Sequence, residues 1–284
     1  MDLNQIYSEL KSKFPSLEIH QYYSLAPYTT VKIGGPADIF IHTKNTKEFT
    51  DVLNFLNTNQ DNANPAITIL GNGSNVLISD SGIPGIVIKN DSDEIELLPE
   101  DKVKVASGVQ LSSLIDFTLD NNLLGLEEFA YIPSTIGGAI TGNIHGDDKN
   151  NFSKFVNSVE FSNQQPIIVS AILKLTNGDS APAKQKVKDI IQKKSAIQPM
   201  NSLGSVFKNI EGKDPTGQII DQQLKLKGFS IGDAQISPLH ANFIINTGHA
   251  TASDYLKLIK CIQSLALEKL NLTLEPEIKL LGEF

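Results

Sequence analysis

Apolar residues that recur every three or four positions predict five amphipathic helices and one shorter helical segment. Leu3, Ile6, Leu10 and Phe14 place a helix at the start of the chain, since residues with this spacing share one helical face. The same spacing predicts helices around 49–56, 111–119 and 182–191, a short segment near 219–224, and a long helix over 255–265 capped by Ser253 or Asp254.

Short apolar runs bounded by turn residues predict strands between these helices. Such runs occupy 67–70, 86–88, 167–175 and 243–245, with further strands around Val103 and Ile278. Residues 31–41 are apolar around Gly34-Gly35-Pro36, which predicts two strands joined by a tight turn. The polar stretch 144–165 predicts an exposed connection with at most one strand.

Length indicates two domains, or one large domain with lobes, built from helices and strands. The 284 residues exceed the usual ~100–200 residues of a single domain. The sequence changes character near residue 195. We therefore expect an N-terminal domain over 1–195, with lobes of about 1–62 and 63–195, and a smaller C-terminal domain over 196–284.

Composition and charge exclude several classes of protein. The net charge is −8 and all 24 basic residues are lysines, so we expect neither a nucleic-acid-binding nor an anionic-membrane-binding surface. The single Cys261 excludes an internal disulfide and a multi-cysteine zinc site, and the five histidines lack metal-ligand spacing. Residues 1–14 are a poor signal peptide, and the apolar runs are too short to span a bilayer, which predicts a cytoplasmic protein.

A first glycine loop, Gly71-Asn72-Gly73-Ser74-Asn75, follows a predicted buried strand. Successive backbone N–H groups in such a loop can bind phosphate oxygens, and Ser74 and Asn75 can add side-chain donors. The loop lacks the third glycine of a dinucleotide fingerprint and the Gly-Lys-Ser/Thr of a P-loop. A tight turn between strands remains the alternative interpretation.

A second glycine segment, Ile132-Pro133-Ser134-Thr135-Ile136-Gly137-Gly138-Ala139, strengthens the first. Glycines without side chains allow a flat ligand to approach the backbone, although they equally allow two chain segments to pack closely. With Gly34 and Gly35, the chain offers three places where a cofactor could approach the backbone.

The motifs then resemble a known family in their order along the chain. Residues 28–38, 70–85, 127–143, 204–209, 220–228, 237–246 and 274–278 resemble the motifs of the UDP-N-acetylenolpyruvoylglucosamine reductase family, in its shorter form. The resemblance implies a vanillyl-alcohol-oxidase/PCMH-type FAD-binding domain followed by a smaller α+β substrate domain. It also implies a monomer that binds FAD non-covalently, takes reducing equivalents from NADPH, and acts on UDP-N-acetylglucosamine enolpyruvate in peptidoglycan precursor synthesis.

The resemblance assigns roles to individual residues. Ser205 is then the proton donor to C2 of the enolpyruvyl group and Glu277 the catalytic glutamate, with Glu275 as the competing candidate. Lys208, Asn209 and Gln222 would contact substrate. The FAD contacts would be Gly34, Gly35, Gly71, Asn72, Gly73, Ser74, Asn75, Ile132, Pro133, Ser134, Thr135, Gly137, Gly138 and Asn143. No metal is implied. His240 is interpreted as a structural or pocket-lining residue, and Cys261, on the apolar face of its helix, as a core residue.

The chain departs from the family pattern at the place of one catalytic charge. The family carries an arginine-bearing stretch before its substrate domain, whereas residues 143–175 are short and contain no arginine. Lys154 or Lys174 could supply the charge without the planar guanidinium fork. Ser134 and Lys32 also replace a glycine and an arginine. These departures leave two alternatives open: a flavin- or UDP-sugar-binding protein without turnover, and an oxidase of the same fold with another substrate.

Overall fold

The structure is a computed structural model that describes residues 2–58, 65–146, 150–163 and 165–284. The chain forms two compact units. Unit 1 comprises 1–21, 39–72 and 85–194, and unit 2 comprises 22–38, 73–84 and 195–284. Unit 2 thus takes two segments from the N-terminal half of the chain. These units are defined by packing, and the functional division at residue 195 stays a prediction.

Fifteen strands are formed within the described residues. They are β1 (Glu18–Ser24), β2 (Pro36–Thr43), β3 (Ile67–Leu70), β4 (Val76–Ile78), β5 (Ile83–Asn90), β6 (Ile95–Leu98), β7 (Lys102–Ala106), β8 (Leu123–Leu124), β9 (Val156–Phe161), β10 (Ile168–Lys174), β11 (Thr176–Asn177), β12 (Ser230–Ile231), β13 (Ala234–Ile236), β14 (Ile244–Asn246) and β15 (Lys279–Leu281).

The described helices match the predicted amphipathic segments and add short ones. They are α1 (Leu3–Lys13), α2 (Thr46–Thr58), α3 (Leu111–Asp120), α4 (Ile136–Gly142), α5 (Ser180–Ser195), α6 (Thr216–Gln218) and α7 (Ala252–Leu270). Three 3-10 turns lie at Ala26–Tyr28, Glu127–Phe129 and Phe152–Phe155, and α6 continues into a π-helical turn at Ile219–Gln223. No helix in the described ranges is both long and apolar enough to cross a membrane.

Unit 1 contains two four-stranded sheets, each with its own core. The first has the order β1-β2-β5-β3, in which β3 and β5 run parallel. Phe49, Val52 and Leu53 of α2 are fully buried in its core together with Leu10 of α1, so the helical apolar faces cover this sheet.

The second sheet of unit 1 is antiparallel and has the order β6-β7-β10-β9. Its alternating buried residues Val103 and Val105 pack against Leu111, Leu114 and Ile115 of α3. The same core contains Ile136 of α4, so the sheet supports the start of the second glycine segment.

Unit 2 is built around α7. Tyr255, Leu258, Ile259 and Ile262 on one face of this helix are at most 2% exposed and pack with the antiparallel sheet β12-β13-β14. A separate parallel pair joins β15 to β4, with Lys279 opposite Val76. The C-terminal strand is therefore aligned with the strand that follows the first glycine loop.

One predicted strand is wrong. Residues 31–35 form a turn rather than a strand, and only β2 follows Gly35. Lys32 has a φ of 58°, and the Thr29 hydroxyl both donates to Ile33 O at 2.9 Å and accepts from Ile33 N at 3.1 Å. These local side-chain hydrogen bonds satisfy the backbone without a partner strand.

Two local predictions at helix starts are also corrected. Thr251, rather than Ser253 or Asp254, is the N-cap of α7, and Asp254 completes a capping box with it. Gly137 and Gly138 lie in the first turn of α4 with Thr135 as N-cap, so the second glycine segment ends in a helix rather than in a loop. Cys261, predicted to be a core residue, is half-buried in α7.

Candidate active site

Unit 1 brings the start of the first glycine loop next to the second glycine segment. A Cβ on Gly71 would lie 2.5 Å from Thr135 Oγ1, so only glycine fits there. The Asn72 amide exchanges two hydrogen bonds with the Gln110 amide, at 2.5 and 2.8 Å. Gln110 in turn forms an antiparallel bridge with Thr135. The two motifs, separated by some 60 residues of sequence, are thus adjacent in the fold.

The second glycine segment is held along residues 107–111 by backbone hydrogen bonds. Leu111 N donates to Ser134 O at 2.9 Å, and Gly137 N donates to Ser107 O at 2.8 Å. A Cβ on Gly137 would lie 3.2 Å from Ser107. Close packing of two chain segments therefore explains the glycine at 137, the alternative that the sequence left open.

The remaining predicted contacts of this segment have structural partners of their own. Ile132 N donates to Phe129 O, and the buried Ser134 hydroxyl donates to Thr135 O at 2.9 Å. Pro133 is exposed. Asn143 ends α4 in the left-handed conformation, and its side-chain oxygen accepts from Ser153 N at 3.2 Å. Gly138 is exposed, and a Cβ there would lie 2.9 Å from Ser134 Oγ.

The second half of the first glycine loop belongs to unit 2. Gly73 has a φ of 57°, and a Cβ there would lie 2.4 Å from Tyr28 O. Gly73 O accepts from Thr30 N at 3.2 Å, and Asn75 O accepts from Lys279 N at 3.0 Å. The N–H groups of Gly73, Ser74 and Asn75 find no acceptor in the part of the chain that the structure describes. The loop is fixed through its carbonyls, and its donors remain available to an anion.

The Gly34-Gly35 turn packs against the turn that contains Asp80. A Cβ on Gly35 would lie 2.3 Å from Asp80 O, and one on Gly34 would lie 3.2 Å from Ile78 Cβ. Both glycines are therefore required by contacts within unit 2. Gly35 N donates to Ser79 O at 2.8 Å, which closes the turn.

The Asp80 carboxylate binds the N-terminus of α7. It accepts from Ala252 N at 2.7 Å, from Ser253 N at 2.9 Å and from the Ser253 hydroxyl at 2.7 Å. Partial burial acts to raise the pKa of Asp80, but these three hydrogen bonds and the charge of Lys257 together hold the pKa below its usual value. Asp80 thus stays ionised and attaches the end of β4 to the helix.

The segment that carries Ser205, residues 204–208, runs beside the C-terminal glutamate segment, residues 274–278. Glu277 N donates to Val206 O at 2.8 Å, and Lys208 N donates to Glu275 O at 2.9 Å. Ser205 is half-buried, and its hydroxyl makes no hydrogen bond with the described residues. Gly204 before it has a φ of 79°. The segments that carry Ser205 and Glu277 are therefore adjacent in the structure.

The predicted substrate contacts also lie around this segment. The Lys208 ammonium pairs with the Glu275 carboxylate, and both side chains are exposed. Asn209 Oδ1 accepts from Thr216 N at 2.9 Å, which leaves its amide NH₂ group as a donor. Gln222 is exposed in the π-helical turn and accepts from Gln218 at 3.2 Å. Glu275, the competing candidate for the catalytic glutamate, is thus paired with Lys208.

Two amide side chains near these motifs, the half-buried Gln110 and the buried Asn242, are not predicted from the sequence. Gln110 holds Asn72, and Asn242 holds the backbone at Phe207. The sequence marks Asn242 only as a polar residue next to the apolar run 243–245, within the motif 237–246, and does not reveal its partner. His240 accepts from Asn242 N at 3.2 Å and packs on Phe243, in keeping with a structural role. No group of three metal-ligating side chains occurs in the described ranges.

Comparison with known proteins defines first a class and then a family. An FAD-binding domain profile matches residues 37–165, and the profile "UDP-N-acetylenolpyruvoylglucosamine reductase, C-terminal domain" matches 192–281. The molecule is thus an FAD-dependent oxidoreductase with an FAD-binding domain and a smaller second domain, and the expected fold class is confirmed.

The similarity to known relatives extends over nearly the whole length of both chains. UDP-N-acetylenolpyruvoylglucosamine reductase of Carboxydothermus hydrogenoformans is 35% identical over 309 positions, covering 100% of both chains, and that of Levilactobacillus brevis is 33% identical, covering 97% of each. The crystal structure of UDP-N-acetylenolpyruvylglucosamine reductase from Thermus caldophilus matches with a TM-score of 0.75 at 27% identity, covering 94% of this chain and 99% of that one. The chain belongs to the UDP-N-acetylenolpyruvoylglucosamine reductase family.

Proposed function

We propose that the chain reduces UDP-N-acetylglucosamine enolpyruvate to UDP-N-acetylmuramate with NADPH and bound FAD, a step of peptidoglycan precursor synthesis. Family membership supports the reaction. One geometric observation carries it to particular residues: Glu277 N donates to Val206 O at 2.8 Å, beside Ser205, and two residues later Lys279 N donates to Asn75 O at 3.0 Å. One short segment thus connects the proposed catalytic pair to the first glycine loop.

The residues of the first glycine loop fit the non-covalent binding of FAD. The donors of Gly73, Ser74 and Asn75 suit the pyrophosphate, because successive backbone N–H groups stabilise phosphate oxygens at close range. FAD, when bound, supplies the hydride relay from NADPH to the substrate. Within unit 1, Gly71, Asn72 and Thr135 would hold the start of the loop in place. Within unit 2, Gly34 and Gly35 fit the turn beside Asp80.

Ser205 and Glu277 would act on the enolpyruvyl group, where a proton is added and negative charge develops. Reduction at C3 requires a proton at C2, and charge that develops on the carboxylate side needs a stabilising partner. The Ser205 hydroxyl has no partner among the described residues, so it can turn toward substrate. Glu277, on the adjacent segment, would interact with the enol intermediate.

Lys208, Asn209 and Gln222 would contact the sugar nucleotide. The Asn209 amide NH₂ group is a donor, and the Lys208 ammonium could exchange Glu275 for a substrate phosphate or carboxylate. We also expect the functional division at residue 195, a cytoplasmic location and a monomer.

Measuring the formation of the reduced product distinguishes this function from binding without turnover. Purified protein with FAD should consume NADPH only when the enolpyruvyl sugar nucleotide is present, and mass spectrometry should detect the reduced sugar nucleotide. NADPH consumption at the same rate with and without this substrate, or no consumption at all, contradicts the proposed function.

One observation favours the alternative, a binding protein with little turnover. The alignment to the Carboxydothermus relative has 309 positions, more than the 284 residues of this chain, so the relative carries segments missing here. Lys174, one proposed replacement for the arginine, is engaged by Glu100 O and Asp101. Lys154 lies near Asn150 and the Phe155 ring. Equilibrium binding of the substrate without product formation would support this alternative.

A further inference from the structure

The backbone that carries Ser205 is fixed on one side by a single residue, Asn242. The Asn242 amide donates to Phe207 O at 2.8 Å, while its side-chain oxygen accepts from Phe207 N at 3.0 Å. The backbone carbonyl of Asn242 accepts from Val206 N at 2.8 Å. Three hydrogen bonds from one residue thus hold the two residues that follow Ser205.

These contacts are shielded from water. Asn242 is 4% exposed, and Val206 and Phe207 are each 1% exposed. Buried hydrogen bonds of this kind are costly to break, because a donor or acceptor left unpaired in the interior loses about 1–3 kcal/mol. The backbone at Val206 and Phe207 is therefore held in one conformation.

The pair of contacts to Phe207 requires an asparagine side chain. An amide presents one donor and one acceptor side by side, which match the N–H and C=O of a single residue as a neighbouring strand would. An aspartate is acceptor-only when ionised and would direct a charged oxygen at Phe207 O. His240 Nδ1 accepts from Asn242 N at 3.2 Å and so holds the asparagine itself.

On the opposite side the same backbone meets the glutamate segment. Val206 O accepts from Glu277 N at 2.8 Å, and an antiparallel bridge joins Phe207 to Pro276. The Ser205 segment is thus the middle of three adjacent segments. It lies between the segment that contains Asn242 and the segment that contains Glu277. A shift at Asn242 would therefore displace Val206 and Phe207. This displacement would change the distance between Ser205 and Glu277.

We propose that Asn242 is a positioning residue that sets Ser205 against Glu277 for proton delivery to the substrate. The proposal rests on the roles proposed above for Ser205 and Glu277. Asn242 acts through the backbone of Val206 and Phe207 and has no role in FAD reduction by NADPH. A displacement of about 1 Å at a reacting group costs on the order of 10²-fold in rate, which sets the scale of the expected effect.

The test uses the FAD-loaded protein and measures the two half-reactions separately in an anaerobic stopped-flow instrument. Asn242→Asp should reduce FAD with NADPH at the wild-type rate, while reoxidation by UDP-N-acetylglucosamine enolpyruvate slows by about 10–100-fold. Asn242→Ala, which removes both contacts without adding a charge, should show the same separation of the two rates.

The reoxidation rate at acid pH distinguishes a positioning role from a general loss of stability. A protonated aspartate regains one donor and one acceptor in the place of the amide. Reoxidation of Asn242→Asp should therefore recover relative to wild type as the pH falls, whereas Asn242→Ala should not recover. The nearby titratable groups are His240, which accepts from Asn242 N, and Lys208, Glu275 and Glu277, which lie on the adjacent segments. They are present in all variants, so the ratio to wild type removes their shared contribution.

Thr251→Ala supplies a control for destabilisation, because it removes only the cap of α7, at about 1 kcal/mol, in the same unit. It should leave both half-reactions unchanged. Wild-type reoxidation rates in Asn242→Asp, equal losses in both half-reactions, or loss of bound FAD in both Asn242 variants would overturn the positioning role. If the wild-type protein itself shows no substrate-dependent reoxidation, the proposed function fails, and the role of Asn242 fails with it.

Discussion

At the scale of single residues, the glycines of the motifs are explained by contacts within the chain. A Cβ on Gly35, Gly71 or Gly73 would lie 2.3 to 2.5 Å from another atom of the same unit, closer than real Cβ atoms approach. The sequence suggested that these glycines admit a cofactor. The geometry indicates that they hold the loop in shape, and that unpaired N–H groups remain for the ligand.

Gly73 offers a test of this interpretation. Gly73→Ala should lower the free energy of unfolding by at least the ~1–2 kcal/mol that an alanine pays in the left-handed region, because a clash with Tyr28 O is added. It should also weaken FAD binding, since Gly73 O is held by Thr30 N. Chemical denaturation and FAD titration measure the two effects.

Gly212 is the matched control for Gly73. It has a φ of 72°, but a Cβ there meets nothing within 4 Å. Gly212→Ala should thus pay the backbone cost alone and bind FAD normally. Equal effects of the two substitutions on FAD affinity would show that the contact at Tyr28 does not shape the loop.

The two glutamates of the C-terminal segment are the two candidates for the catalytic glutamate. The Glu275 carboxylate pairs with Lys208, and the backbone N–H of Glu277 donates to Val206 O, next to Ser205. Glu277→Gln should slow substrate-dependent reoxidation of FAD by about 10²-fold or more, as loss of an acid–base group at the enol intermediate does. Glu275→Gln should change it by less than about tenfold. A reversed order in stopped-flow rates would assign the role to Glu275.

At the scale of elements, periodicity was a reliable guide to the long helices and less so to turns. The five long amphipathic helices were predicted from apolar spacing, and α1, α2, α3, α5 and α7 are formed. The turn at 31–35 was missed because hydrogen bonds between Thr29 and Ile33 replace strand pairing. Asn242 could not be assigned from sequence, because its partner Phe207 is 35 residues away and only the fold brings them together.

Asp80 connects two of these elements, and its ionisation should influence stability. Since the pKa of Asp80 is lowered in the folded state, its contribution is fully present above the ordinary value of 3.8 and is lost as the pH falls through the lower, folded value. Asp80→Asn should therefore cost about 1 kcal/mol at neutral pH, as loss of a helix-terminal carboxylate does.

The pH series decides whether this carboxylate acts as described. The difference in unfolding free energy between wild type and Asp80→Asn, measured by denaturant titration, should shrink below pH 3.8. Asp51→Asn, at an exposed pair with Lys47, should cost only a few tenths of a kcal/mol. A difference for Asp80→Asn that is constant with pH would contradict the ionised contact with α7.

At the scale of the whole molecule, the order of the motifs along the chain carried more information than any one of them. Each glycine loop alone was compatible with a simple turn, and packing within the units bears out part of that interpretation. The family profiles and full-length relatives confirm the predicted family, fold class and cofactor. Residues 143–175 contain no arginine, and the sequence predicts that a catalytic charge is missing there, so turnover is the property to test most directly.

That test is the absorbance of the bound FAD under anaerobic conditions, after NADPH and then after UDP-N-acetylglucosamine enolpyruvate. The wild-type protein should lose its yellow colour with NADPH and regain it with the substrate, and Ser205→Ala should lose colour equally fast but regain it about 10²-fold or more slowly. Colour that never returns with this substrate, or that returns equally fast in Ser205→Ala, would contradict the account of the active site.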